Sequence, residues 1–241
     1  MAEPVLEVRN VSKRFSGFQA LTDVSLRVGE GEHFGLIGPN GSGKTTLINC
    51  ISGTLRSDGG RIAFRGRDIT RLAPHRRTRL GIVRSFQIPK PFASMTVLEN
   101  LRIPLDYAGR ARPGVPEAAD EALAILRLIG LEAKAHVTSA GLTQIEMRKL
   151  ELARALAARP AVLISDEAMA GLSSAEVDDL LAILLRLSAQ GITIIMIEHI
   201  MRAVMRFSER IAVLDAGEKI AEGVPDEILR NPAVEKAYLG E

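Results

Sequence analysis

Short apolar runs broken by glycine fill the first 65 positions of this 241-residue chain. "VLEVRNV", "DVSLRVG", "HFGLIG" and "GGRIAFRG" alternate or run apolar between the breaks, which predicts strands and turns. After "HFGLIG" a glycine-rich loop leads into "KTTLINCISG", a helix pattern closed by Gly53. From about Ile88 to Ala158 the texture changes. Prolines interrupt "IPKPFASMTVLENLRIP", and "RARPGVP" reads as a loop. "EAADEALAILRLIG" sets Ala122, Ile125, Leu126 and Ile129 on one helical face, and "LTQIEMRKLELARALAARP" is a further helix stopped by Pro160. The final third returns to strand–helix alternation. Ser173 with Glu176 spells a capping box before "AEVDDLLAILLRLSAQ", which Gly191 ends; "ITIIMI" is a buried strand, and "RIAVLDAGEKIAEG" is two strands around a turn at Asp215–Gly217. The pattern predicts a single α/β domain over 1–241. Residues 1–87 and 159–241 form the core with an antiparallel β subdomain, and 88–158 is a helical subdomain insert.

Composition narrows the class. At 46% hydrophobic residues the chain buries a substantial core, and a net charge of +2 gives no footprint for a polyanion, so no nucleic-acid partner is expected. The basic cluster "RGRDITRLAPHRRTR" (65–79) reads as a solvated connector. Cys50 is the sole cysteine, which excludes an internal disulfide and argues against a cysteine-based metal site. The start "MAEPVLEVRN" has no signal-peptide layout, and nowhere do about 18 apolar residues run together. The expectation is a soluble, cytoplasmic protein that needs partners to hold it at any membrane.

Candidate chemistry begins at "GPNGSGKT" (38–45). Gly38-x-x-x-x-Gly43-Lys44-Thr45 has the spacing of a P-loop and lies between a predicted strand and a predicted helix. Glycines let backbone amides turn inward around phosphate oxygens, and the helix N-terminus adds donors and partial positive charge. Gly38, Pro39, Asn40, Gly41, Ser42, Gly43, Lys44, Thr45 and Thr46 are therefore the expected cradle of a nucleotide, with the Thr45 hydroxyl ligating Mg²⁺. A second oddity is "PAVLISDEAMAGLS" (160–173), where an apolar strand ends in Asp166 and Glu167. Unpaired carboxylates are costly to bury, so Asp166 is expected to anchor Mg²⁺ and Glu167 to orient or deprotonate an attacking water.

With these motifs in place the chain resembles the ATP-binding-cassette ATPases from about Val5 onward. The resemblance implies ATP and Mg²⁺ as ligands and a P-loop NTPase fold. "RSFQ" (84–87) is similar to the family's Q-loop, which makes Gln87 a metal- and water-sensing residue. "IIMIEH" (194–199) is similar to its switch region, with His199 toward the γ-phosphate. Phe15 in "SKRF" matches the aromatic that stacks on adenine, with Phe18 the neighbouring candidate. "AGLS" (170–173) falls at the D-loop, with Ser173 in place of the usual Asp or Asn. "RSFQIPKPFASMTVLENL", "DEAMAGLS", "MIEHIMRAVM" and "NPAVEKAYLGE" resemble the ATP-binding subunits of branched-chain and related hydrophobic amino acid importers. Members of that subgroup also serve uptake of urea, short amides and aromatic acids. The implied partners are a second cassette (identical or related), two membrane permeases and, indirectly, a periplasmic solute-binding protein. The implied location is the inner face of the plasma membrane. Phe92 and Met95 are the expected apolar anchors of the permease contact. A soluble cassette ATPase uncoupled from transport is the alternative reading.

One departure stands out. The family's "LSGGQ" signature, counted back from Asp166, falls on "LTQIE" (142–146), so that Thr143 keeps the hydroxyl toward the partner's nucleotide. Gln144 and Ile145 replace both glycines, and Glu146 replaces the glutamine. A register through Ser139-Ala140-Gly141 restores small residues and breaks the spacing. A β-branched side chain and an added negative charge predict a weakened site on the partner's nucleotide. The competing expectation is that Thr143 and the helix N-terminus suffice.

Overall fold

Strands that read as unbroken apolar runs belong inside a sheet covered on both faces. In the structure, a computed structural model describing residues 4–85, 89–107 and 117–239, they do. The N-terminal strands β1 (Leu6–Phe15), β2 (Phe18–Val28), β4 (Gly59–Phe64) and β5 (Arg67–Asp68) make an antiparallel sheet in the order β2-β1-β4-β5. The second sheet contains β3 (His33–Ile37), β6 (Ile82–Ser85), β7 (Val162–Asp166), β8 (Thr193–Ile197), β9 (Arg210–Asp215) and β10 (Glu218–Gly223). Its order is β10-β9-β3-β8-β7-β6, parallel except for the β9–β10 hairpin at the edge.

The alternation of side chains along β7 and β8 divides the core in two. Val162, Ile164, Ile195 and Ile197 face α1 (Lys44–Ser52) and the antiparallel sheet, so α1 is sandwiched between the sheets. Leu163, Ile194 and Met196 face the other layer, where α6 (Ser174–Ala189) and α7 (Met201–Phe207) pack. The helices α3 (Val97–Tyr107), α4 (Glu117–Ile129) and α5 (Gln144–Ala157) pack on one another in the region expected to be a helical insert, and α5 also meets β6. Ala122, Leu126 and Ile129 are fully buried and Ile125 partly so. The chain ends in α8 (Pro225–Leu229) and α9 (Pro232–Leu239).

The connector reading of 65–79 is corrected. Residues Pro74–Leu80 form α2, and Arg77 within it is only 2% exposed. Its guanidinium donates to the carbonyls of Cys50 and Ile51 (2.6 and 2.7 Å) and to those of Leu72 and Thr70 (both 2.9 Å). It therefore caps the C-terminal carbonyls of α1, where a cation is favourable. Gly53 makes room: it takes the left-handed cap conformation (φ 84°), and a Cβ there would lie 2.7 Å from Arg77 Nε. A basic run looks solvated in sequence because nothing local marks which arginine finds carbonyls 26 residues away.

Candidate functional site

The parallel strands β3 and β7 deliver both motifs to the same end of the sheet. β3 runs into the P-loop, where Gly38, Gly41 and Gly43 all have positive φ. Two of these glycines are obligatory on space alone. A Cβ on Gly38 would meet the Leu214 carbonyl at 2.1 Å, and one on Gly43 the Ala20 carbonyl at 2.7 Å. Lys44, 6% exposed, folds back over the loop, donating to the carbonyls of Gly38 (2.6 Å) and Pro39 (2.9 Å). Burial pulls its pKa below the usual lysine range, against the opposing charges of Glu167 and Asp166.

Phe15, Phe18, Ala20, the P-loop residues Asn40–Thr46, Glu167 and His199 line one cavity of about 290 Å³. The phenylalanines flank a two-residue turn, Ser16 (φ 37°) and Gly17 (φ 99°), that pairs them across the tip of β1–β2. Both rings are open to solvent at 43% and 65%, so neither is a core residue, and Lys13 Nζ lies 5.5 Å from the Phe15 centroid. This arrangement offers an aromatic face at the cavity mouth.

Glu167 follows β7 in the left-handed region (φ 47°), a conformation that non-glycine residues adopt under constraint. Its N–H donates to the Ile197 carbonyl at 2.8 Å, and its Oε1 lies 2.9 Å from His199 Nε2. The carboxylate and imidazole thus meet at the cavity, as expected from two motifs 32 residues apart. Asp166 is 5% exposed, and its counter-charge is one the sequence reading missed: Arg84 donates to Oδ2 through Nη2 (2.5 Å) and Nε (3.2 Å) and to Asn49 through Nη1 (2.6 Å). The acidic doublet therefore meets a guanidinium at Asp166 and an imidazole at Glu167. The available signal was a lone cation in the apolar strand "GIVRS".

Two further neighbours were also missed. Glu198, 2% exposed, accepts the Met169 N–H at 2.9 Å. Burial, with the nearby Glu167 charge adding to it, pushes its carboxyl up to about 7. Tyr238 of α9, though 43% exposed, meets the P-loop at the Gly38 N–H; partial burial raises its pKa, and that hydrogen bond opposes the rise. Gln87 lies outside the described residues. Phe92 is 41% exposed beneath the Arg154 guanidinium, 5.3 Å from its ring centroid, and Met95 is half-buried.

Thr143 lies away from this cavity, as the N-cap of α5. Its hydroxyl accepts the Glu146 N–H, and the Glu146 carboxylate accepts the Thr143 N–H at 2.9 Å, a complete capping box. The expected repulsive charge is modified, because Lys134 pairs with Glu146 at 2.8 Å and helps hold its pKa low. Ile145 packs against the core of the helical layer. Ser173 is likewise spent in the capping box of α6.

A glycine-rich loop at a strand–helix junction, facing a strand that ends in two carboxylates, defines a nucleotide-binding P-loop protein. The comparisons then place it. The ABC transporter model matches residues 21–170, and that for "Branched-chain amino acid ATP-binding cassette transporter" matches 218–241. The high-affinity branched-chain amino acid transport ATP-binding protein BraF of Pseudomonas aeruginosa is 38% identical over the full length of both chains. The ADP conformation of MJ1267, an ATP-binding cassette of an ABC transporter, superposes with a TM-score of 0.90 at 36% identity, covering all of both chains. The dimeric post-hydrolysis state of MJ0796 with ADP and Pi gives 0.81 at 27% identity over 91% of this chain and 98% of that one. The chain belongs to the ABC transporter family and is an ATP hydrolase of that type.

Proposed function

We propose that this chain energises an importer for branched-chain amino acids, hydrolysing ATP at the P-loop cavity while docked on two membrane permeases. The observation that carries the hydrolytic part is the convergence of the P-loop, Glu167 and His199 on one cavity. The full-length relatives, together with the match over 218–241, support the solute class. Glu167 is the group that orients or deprotonates water, since its carboxylate lines the cavity and lies 2.9 Å from the His199 imidazole. Lys44 and the P-loop amides hold the phosphates, and Phe15 stacks on the base.

The donor set also fits Mg²⁺. The Thr45 hydroxyl on the first turn of α1 and the Asp166 carboxylate are hard oxygen ligands, and Arg84 donates to Asp166 at Oδ2. Such an ion supplies positive charge to the transferring phosphoryl group. Gln87 is the third residue proposed to sense it.

A second cassette, identical or related, is supported by the dimeric cassette structure and by the position of Thr143 outside this chain's own cavity. Permease contact is supported by a groove of about 240 Å³ between α1, β6, α3 and α5, lined by Thr54, Arg84, Pro104, Glu151 and Arg154. Arg154, which lines it, lies over the Phe92 ring. Among the described residues no helix is long and apolar enough to cross a membrane, which fits a peripheral subunit on the inner face. The periplasmic solute-binding protein enters only through the permeases.

The test is ATP turnover by the assembled complex in vesicles, stimulated by a binding protein loaded in turn with leucine, isoleucine, valine or urea. The proposal expects stimulation by the branched aliphatic amino acids. Stimulation by urea alone, or by none, overturns the solute assignment.

A further inference from the structure

Glu198 lies one residue before His199 and does not line the P-loop cavity, yet it is 2% exposed just past the end of β8. A buried carboxylate is costly unless its oxygens are used. Its Oε1 accepts the Met169 N–H at 2.9 Å, and the backbone N–H of His199 also faces the carboxylate. Met169 lies two residues past Glu167, inside the turn where Ala170 N–H bonds to the Glu167 carbonyl and Leu172 N–H to the Met169 carbonyl.

The strained turn at Glu167 is therefore tied at three points to the end of β8 and the loop that follows it. Glu167 N–H bonds to Ile197, Met169 N–H to Glu198, and the Glu167 carboxylate to His199. Of the two side-chain links, that to His199 is solvent-exposed and that to Glu198 is buried, so water weakens the Glu198 link less. The charged groups acting on Glu198 are Glu167, from the end of β7, and its neighbour His199.

We propose that Glu198 is a positioning residue for hydrolysis: it locks the Glu167 turn to the His199 loop, so that carboxylate and imidazole are held as one unit at the cavity. This rests on the reading that Glu167 and His199 handle the attacking water.

The experiment uses the full chain in its assembled complex with Glu198→Ala and Glu198→Gln. The glutamine keeps an acceptor oxygen for Met169 N–H, whereas alanine leaves that donor buried and unpaired. For Glu198→Ala, kcat should fall about tenfold or more while KM for ATP stays within about twofold, because the P-loop contacts are untouched. Glu198→Gln should restore kcat to within about threefold. Hydrogen exchange in the full chain should show the Met169 amide about tenfold or more faster in the alanine variant and protected again in the glutamine variant.

An unchanged kcat in Glu198→Ala, or a loss carried by KM, overturns the proposal. Should the alanine variant not fold, Glu198→Gln decides alone: it must keep Met169 protected and turnover near that of the unaltered chain. Glu167→Gln separates the two readings. If it retains turnover, the assignment of Glu167 fails. If it is inactive while Glu198→Ala is fully active, only the positioning role fails.

Discussion

Glu167 holds a left-handed backbone, and its amide donates to the Ile197 carbonyl. That geometry aims its carboxylate at the cavity, so Glu167→Gln should lower kcat by about two orders of magnitude or more, with nucleotide affinity within a few-fold. Calorimetry with ATP alongside steady-state turnover checks both halves, and a comparable loss of affinity would contradict the role. Glu198 carries a pH consequence. Its carboxyl is raised from 4.5 to about 7, so the folded chain binds this proton more tightly than the unfolded one. Its stabilising contribution is complete below about pH 4.5 and is lost as pH rises through about 7, on the order of 3 kcal/mol at most. Urea unfolding between pH 5 and 8 should show Glu198→Gln gaining on the unaltered chain as pH rises; a constant difference would contradict the assignment.

At the scale of elements, α1 is held at both ends by groups distant in sequence. Its N-terminus opens the P-loop, and its C-terminal carbonyls are covered by Arg77 of α2. Arg77→Met keeps most of the volume and strands four carbonyls, so it should destabilise the fold by about 3 kcal/mol in chemical denaturation. Because the P-loop is the other end of the same helix, nucleotide affinity should fall with it only if α1 shifts. The signature segment is an element-scale compromise too. Thr143, Glu146 and Lys134 form a closed capping arrangement that gives α5 a firm start. In the assembled complex Ile145→Gly should raise turnover severalfold if the β-branched residue weakens the partner's site; unchanged turnover would mean that Thr143 and the helix N-terminus are enough.

For the whole molecule, the parallel sheet is what joins motifs lying far apart in the chain. The P-loop and the Asp166–Glu167 doublet were legible in the residues themselves, because each sits where a short apolar strand gives way to a turn and each residue type is demanded by its chemistry; His199 was expected only through the family resemblance. The strand runs, the caps at Gly53 and Ser173, and the helical texture of the middle third were legible for the same reason: periodicity and capping are local properties. Arg84 on Asp166, Arg77 on α1, Glu198 on Met169 and Lys134 on Glu146 were not. Each is a charge whose partner is fixed only when strands and helices pack. A sequence shows that a charge exists and how far along the chain it stands, while the energy of that charge depends on burial and on the groups within a few ångströms. The nucleotide loop and the acidic strand end were thus determined by the sequence itself; which groups neutralise and orient them was decided by the tertiary structure, since electrostatic compensation acts through space.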